Sequence, residues 1–540
     1  MIIFDDVSVT YPGAPAPALS GVDLTVDEGS FALVAGPTGA GKSTLLRAVN
    51  GLVPHFSGGR LTGRVIVDGR ATDTHRPRDL ADVVGFVGQD PDASFVADIV
   101  EDELAYGMEN LGLPAATMRQ RVEDVLDILN LHPLRQRAIL TLSGGQRQRV
   151  AIGAVLTAAP RILVLDEPTS SLDPVSAEEV LAVLSRLVHD QGVTIVVAEH
   201  RLERMVHAAD VVVHVPGLGQ PVRAGAPGPV LAHSAVAPPL IRLAEVAGWD
   251  PPPVSVREAR RLAPGLRARL PAPPAPSPPS ASADPPLARV RRLGARYGRI
   301  AALDNLTLDI GAGQVTAVMG RNGAGKSTLL RHLVGLRAPA QGTVTVGGES
   351  PAALRPARAA RLVGLVPQEP AALLGADSVA AECKAADADA DLPAGTTRRL
   401  LSTLLPAVGD DVHPRDLSEG QRLSLALAVV LAPAPPLVLL DEPTRGLDYG
   451  AKARLTALLR DLAAAGHAVV VATHDVELVA EVADRVVVLA DGELIADGPT
   501  RTVVCHAPGL SPQVARILAP DPWLTVAEVS SALIPAPCPP

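Results

Sequence analysis

Short strand-like apolar runs alternate with longer helical stretches along this chain. Phe31–Ala35 and Ile162–Leu165 in the first half, and Val315–Met319 and Leu437–Leu440 in the second, are each bounded by polar or turn-forming residues. This alternation predicts α/β architecture, a mostly parallel sheet flanked by helices. Leu423 to Leu440 carries no charge and is just long enough to raise the question of a membrane span. Pro433, Pro435 and Pro436 interrupt it, so a buried helix, a turn and a buried strand are expected instead.

The pattern occurs twice. Gly36-Pro37-Thr38-Gly39-Ala40-Gly41-Lys42-Ser43-Thr44 recurs as Gly320-Arg321-Asn322-Gly323-Ala324-Gly325-Lys326-Ser327-Thr328, with the two lysines 284 residues apart. Ser143 and Ser418 are 275 apart, as are Asp166 and Asp441, and His200 and His474 are 274 apart. The two tryptophans, Trp249 and Trp523, keep the same spacing, and each precedes a Ser-Val or Thr-Val step and then Glu258 or Glu528. The duplication therefore reaches past the polar landmarks into an extension at the end of each half. Leu270 to Pro286, rich in Pro, Ala and Ser, reads as solvated linker. The expected organisation is domain 1 with its extension over 1–262, linker 263–287, domain 2 with its extension over 288–531, and a tail from 532 to 540.

Composition narrows the classes. At 540 residues the chain exceeds one hydrophobic core, and aromatic residues at 2% leave Val, Leu, Ile and Ala to build the interior. A net charge of -10 gives no whole-chain footprint for a nucleic acid. Cys383, Cys505 and Cys538 lie far apart and suggest neither a zinc site nor a disulfide framework, so a reducing compartment is expected. Met1–Asp6 lacks the basic leader and apolar stretch of a secretory signal.

The repeated glycine-rich segment carries chemistry. G-x-x-x-x-G-K-S after an apolar strand lets backbone N–H groups curl around phosphates at a helix N-terminus. Lys42 and Lys326 are then expected to neutralise the β and γ phosphates of ATP, and the Ser43 and Ser327 hydroxyls to ligate Mg²⁺. Two later strands each end in adjacent acids, Asp166-Glu167 and Asp441-Glu442. The aspartates are expected to hold Mg²⁺, and Glu167 and Glu442 to polarise the attacking water as general bases.

Leu142-Ser143-Gly144-Gly145-Gln146-Arg147 and Leu417-Ser418-Glu419-Gly420-Gln421-Arg422, each shortly before an Asp-Glu strand end, resemble the signature of ABC-type ATPases. The resemblance implies two P-loop NTPase domains in tandem, each with an antiparallel β subdomain and a helical signature subdomain. It implies a head-to-tail pairing of the two domains within the chain. Each ATP would then lie between one domain's P-loop and the other's signature, Ser143, Gly144, Gly145 and Gln146 or Ser418, Gly420 and Gln421. It also assigns Gln89 and Gln368 to the Q-loop, near metal and water; Asp173 and Asp448 to the D-loop; His200 and His474 to the γ-phosphate; and Tyr11 and Tyr297 to stacking on adenine. Glu419 replaces a signature glycine, so both sites are expected to hydrolyse ATP, the one served by Glu419 more slowly.

Asn50–Gly59, Asp102–Asn110 and Glu199–Glu203 are similar to the ATPases of energy-coupling-factor (ECF) importers, and the tandem layout to those for hydroxymethylpyrimidine, thiamine or cobalt. That resemblance implies an ATP-hydrolysing subunit at the cytoplasmic face of the membrane. Its partners would be integral-membrane subunits, a transmembrane component and a substrate-binding component, with Glu101, Asp102 and Glu103 available to grip them. A sugar or peptide importer ATPase and a soluble ABC protein acting on ribosomes are the alternatives.

Overall fold

The apolar runs become strands with every residue buried: Phe31–Ala35, Ile162–Asp166 and Thr194–Ala198 in the first half, Val315–Met319, Leu437–Asp441 and Ala468–Ala472 in the second. Runs without polar alternation belong in parallel sheets whose two faces are both covered. The computed structural model describes residues 1–170, 172–275, 285–298, 300–405 and 408–534. They divide into two compact units, Met1–Ala259 and Arg260–Pro540. The expected tail beyond residue 534, with Cys538, and linker residues 276–284 lie outside the described residues.

In the first unit a six-stranded sheet has the order Arg223–Gly225, Val211–His214, Phe31–Ala35, Thr194–Ala198, Ile162–Asp166, Val84–Val87. All neighbours pair in parallel except Arg223–Gly225, which is antiparallel. A second, antiparallel sheet has the order Leu19–Val26, Ile2–Thr10, Arg60–Val67, Arg70–Ala71. One core joins them: Ile2, Phe4 and Leu24 from the antiparallel sheet, Leu45 and Leu46 from the helix Lys42–Val49, and Val164 and Val196 from the main sheet.

The second unit repeats this plan. Its six strands run Val363–Val366, Leu437–Asp441, Ala468–Ala472, Val315–Met319, Arg485–Ala490, Glu493–Pro499, and only Glu493–Pro499 is antiparallel to its neighbour. Its antiparallel sheet has three strands, Ile300–Ile310, Ala288–Tyr297 and Gln341–Val346. The expected tandem α/β P-loop fold is therefore present in both halves. The uncharged stretch from Leu423 resolves into the helix Glu419–Leu431 and the strand Leu437–Asp441. Among the described residues no helix is long and apolar enough to cross a membrane.

Each unit also carries a helical arm, Val100–Asn110, Ala115–Ile128 and Gly144–Leu156 in the first, Val379–Asp389, Thr396–Leu404 and Glu419–Leu431 in the second. Among the described residues, three further α-helices follow each sheet, the last being Val256–Arg267 and Val526–Leu533. The Ser/Thr-Val-x-Glu steps after the tryptophans are N-caps, each with a glutamate that reaches back to the backbone N–H just before the cap residue. Ser255 Oγ accepts from Glu258 N at 3.2 Å while Glu258 accepts from Val254 N at 3.0 Å, and Thr525 and Glu528 do the same at 3.2 and 2.9 Å.

Asp387 anchors the second arm. Its buried carboxylate accepts from the backbone N–H groups of Gly395, Thr396 and Thr397 at 2.7, 3.1 and 2.8 Å and from the Thr397 hydroxyl at 2.7 Å. Burial alone would raise its pKa, but these donors outweigh burial and lower it. A lowered carboxylate contributes stability above its unfolded pKa of about 4 and loses it as pH falls through the folded value. Asp387→Ala should cost about 2 kcal/mol in a denaturant melt at pH 7, and should flatten the acid side of the stability–pH curve relative to the parent chain.

Candidate functional site

The parallel strands deliver their carboxyl ends to one edge of each sheet. Asp166 is level with Ala198 and Ala35 with His214, so the chain leaves that edge at Gly36, Glu167 and Glu199. Ligands of open α/β sheets bind at such an edge. At Gly36 the turn is extremely close: a Cβ there would lie 2.1 Å from the Val215 carbonyl oxygen. The corresponding approach at Gly320 is 2.4 Å from the Leu489 oxygen. Gly41 and Gly325, with φ of 108° and 104°, then open the helices Lys42–Val49 and Lys326–Leu333.

The lysines fold back over these loops. Lys42 Nζ donates to the Gly36 and Pro37 carbonyls at 2.9 and 3.0 Å, and Lys326 Nζ to those of Gly320 and Arg321 at 2.7 and 3.2 Å. Both residues are buried. Thr38, Gly39 and Ala40, like Asn322, Gly323 and Ala324, complete the two loops, and Thr44 and Thr328 continue the helices.

Asp166 and Asp441 end their strands with their carboxylates near the Ser43 and Ser327 hydroxyls, close enough for those hydroxyls to favour the charged forms. Burial raises both aspartate pKa values, against those hydroxyls and the loop lysines. In each, Oδ1 is buried without a hydrogen-bond partner. A hydroxyl and an unsatisfied buried carboxylate oxygen side by side are a fitting donor pair for a hard divalent cation such as Mg²⁺, which takes further oxygens from phosphates and water.

Glu167 and Glu442 follow in left-handed backbone, φ 53° and 50°, a conformation that costs a non-glycine residue about 1 kcal/mol or more. It is held by the next strand: Glu167 N donates to Ala198 O at 2.9 Å and Glu442 N to Ala472 O at 2.8 Å. Glu167 Oε1 lies 2.8 Å from His200 Nε2, and Oε2 accepts from Gln89 Nε2 at 3.1 Å. Glu442 Oε2 instead meets His474 Nδ1 at 2.9 Å, the Thr473 hydroxyl at 3.2 Å and the His474 backbone N–H at 3.3 Å. Its Oε1 lies 3.6 Å from Lys326 Nζ. Burial alone would raise the Glu442 pKa, but the His474 hydrogen bond and the His474 and Lys326 charges outweigh it and lower it. Gln368 is exposed.

The structure therefore gathers P-loop, Asp, Glu and His in both units, and the Q-loop glutamine with them in the first. Tyr11 and Tyr297 end the first strands of the antiparallel sheets and reach the P-loop helices. Tyr11 Oη lies 3.3 Å from Thr44 Oγ1, and the Tyr297 hydroxyl lies near Thr328. The Arg337 guanidinium stacks over the Tyr297 ring, 4.1 Å from its centroid. Ser143 and Ser418 cap the helices Gly144–Leu156 and Glu419–Leu431 in capping boxes with Gln146 and Gln421. Asp173 and Asp448 cap the helices Pro174–Gln191 and Tyr449–Ala464. Glu419 is paired with Arg422 at 2.9 Å, so its charge is neutralised on its own helix.

Two acids of the expected partner grip do other work. Glu103 is buried and accepts from Val96 and Ala97 N–H at 2.9 and 2.7 Å, fixing the segment after the Q-loop. Glu382 does this in the second unit, accepting from Ala376 N at 2.8 Å. Glu101 is held by Arg135 and Gln136. Of the three, Asp102 alone is exposed.

One residue of the site carried no chemical role in the sequence. Glu199, fully buried, accepts from Thr169 N at 2.8 Å, Thr169 Oγ1 at 2.5 Å and His200 N at 3.0 Å. Burial, with the nearby Glu167 charge, raises its pKa against the Thr169 hydrogen bonds. An acid ending a buried strand immediately before His200, where the second half has Thr473, was the available signal.

A model of the ABC transporter family matches residues 19–170 and 303–445. A Streptomyces coelicolor protein provisionally named as an ABC transporter ATP-binding protein is 59% identical, covering 99% of this chain and 100% of its own. A Methanosarcina mazei protein of the same provisional name is 36% identical over 99% and 97%. Among solved structures, the archaeal ribosome recycling factor aABCE1, in complex with a ribosomal stalk protein, has a TM-score of 0.60 at 21% identity, covering 93% of this chain and 91% of that one. At that identity the likeness is one of fold. The P-loop geometry sets an order of effects: Gly36→Ala must displace the Val215 carbonyl, whereas a Cβ at Gly39 meets no protein atom within 4 Å and strains the protein mainly through its left-handed φ, about 1 kcal/mol. Equilibrium nucleotide titration in a Lys326→Ala background should show Gly36→Ala losing far more affinity than Gly39→Ala.

Proposed function

Because the chain belongs to the ABC transporter ATP-binding family, we propose that it hydrolyses ATP at both P-loops and couples this to an importer whose membrane-crossing subunits are separate polypeptides. The observation that carries the chemistry is the duplicated cluster of P-loop lysine, Ser–Asp pair and strained glutamate at one sheet edge. The backbone N–H groups of Gly39 to Ser43, and of Gly323 to Ser327, lie in the P-loops where a triphosphate would be cradled, with Lys42 and Lys326 offsetting its charge. Mg²⁺, when bound, neutralises charge on the β and γ oxygens. Ser43 with Asp166, and Ser327 with Asp441, are the residues that would hold it, and Gln89 is placed to help in the first site. Glu167 and Glu442 orient a water and take its proton, and His200 and His474 keep those carboxylates directed at the site.

Transport coupling is supported by the full-length relatives and their provisional names. The ECF-type reading, with a vitamin, vitamin precursor or metal ion as cargo, rests on the segments Asn50–Gly59, Asp102–Asn110 and Glu199–Glu203. It places the protein at the cytoplasmic face of the membrane, bound through a transmembrane component and a substrate-binding component. Of Glu101, Asp102 and Glu103, Asp102 is the exposed acid and so the one available for such a contact.

Glu167→Gln with Glu442→Gln should lower steady-state ATPase activity at least about 100-fold while nucleotide still binds; retained activity would rule out these glutamates as bases. Pull-down of the tagged chain from its native membranes should recover integral-membrane proteins, and Asp102→Lys should reduce that recovery without changing ATP affinity. Recovery of ribosomes in their place would favour the soluble alternative.

A further inference from the structure

The two halves solve one local problem differently. In each, the loop after the glutamate must be tied to the segment that carries the histidine. In the second unit the glutamate makes such a tie: Glu442 Oε2 holds the Thr473 hydroxyl, the His474 N–H and His474 Nδ1 within 2.9 to 3.3 Å. In the first unit the tie is Glu199. One of its oxygens takes both donors of Thr169, two residues past Glu167, and the other takes the His200 N–H. All three partners of this link are buried.

The difference falls on the glutamate. Glu167 Oε1 faces the His200 side chain and Oε2 faces the amide of Gln89, an exposed side chain. Neither oxygen holds backbone. A carboxylate offers about four acceptor positions, and Glu442 spends one whole oxygen on its own unit's backbone and side-chain donors, while its Oε1 lies 3.6 Å from Lys326 Nζ without a hydrogen-bond partner. Glu167 instead keeps both oxygens on side chains, His200 and Gln89. We propose that Glu199 is a positioning residue: it makes through Thr169 and His200 a tie of the kind that Glu442 makes with its own carboxylate, leaving Glu167 to follow the attacking water, and so makes the first half the faster hydrolytic centre. This rests on the two glutamates acting as the bases proposed above. It reverses the ranking that Glu419 alone suggests, and Glu419 is already paired with Arg422.

The test compares single-base variants by steady-state kinetics. Glu442→Gln should retain the larger share of wild-type kcat and Glu167→Gln the smaller. In the Glu442→Gln background, Glu199→Thr should then lower kcat about tenfold while KM for ATP changes less than about twofold, the signature of a lost transition-state contact. Glu199→Gln should give an intermediate kcat, because its amide oxygen still accepts both Thr169 donors, and it guards against the threonine variant failing to fold. Thermal melting adds an independent readout: Glu442→Ala should destabilise the protein more than Glu167→Ala does. Equal turnover by the two single-base variants would overturn the inference. So would Glu199→Gln at undiminished kcat, or kcat and KM shifting together. If both single-base variants and their double variant ran at the wild-type rate, the base assignment itself would fall instead.

Discussion

The approach of the P-loop backbone to the neighbouring strand is the constraint on which both sites depend. At Gly36 the space for a side chain is already filled by the Val215 carbonyl, and at Gly320 by that of Leu489. Only a residue without Cβ lets the loop turn back at that depth. The turn then starts the next helix at its lysine and places the serine near the aspartate that ends the next strand but one. The strand order makes this possible, because Phe31–Ala35 and Val315–Met319 run between the other carboxyl-ended strands rather than at an edge.

Much of this was legible from the chain alone, for a physical reason. Glycine-rich turns, apolar strands and terminal acids are local demands, and each must be met within a few consecutive residues. The proline-broken stretch from Leu423 is an example: composition alone suggested a span, while the prolines dictated the helix, turn and strand that the fold contains. The steps after Trp249 and Trp523 were visible as a repeat, and the fold gives them meaning as helix caps.

What the sequence did not disclose depends on partners distant along the chain. Glu101 and Glu103 read as acids available to grip a membrane partner, but Arg135 and Gln136 hold the first, and the second is buried against the backbone N–H groups of residues 96 and 97. The role of Glu199 is hidden in the same way. Its donors at Thr169 lie thirty positions earlier, brought close only because the strands Ile162–Asp166 and Thr194–Ala198 pair in register. Adjacent charged residues look alike in one dimension, and tertiary pairing decides which are structural.

The lysine that folds back onto its own loop has a further implication. An ammonium already resting on two carbonyls has few rotamers left to surrender, so an arriving anion meets a charge whose ordering entropy was lost during folding. Lysine suits this duty because its donors are arranged tetrahedrally around one small centre and can be shared between loop and ligand. The flat, wide fork of arginine would need a different cradle. Here the covalent shape of one side chain limits how the surrounding loop can be built.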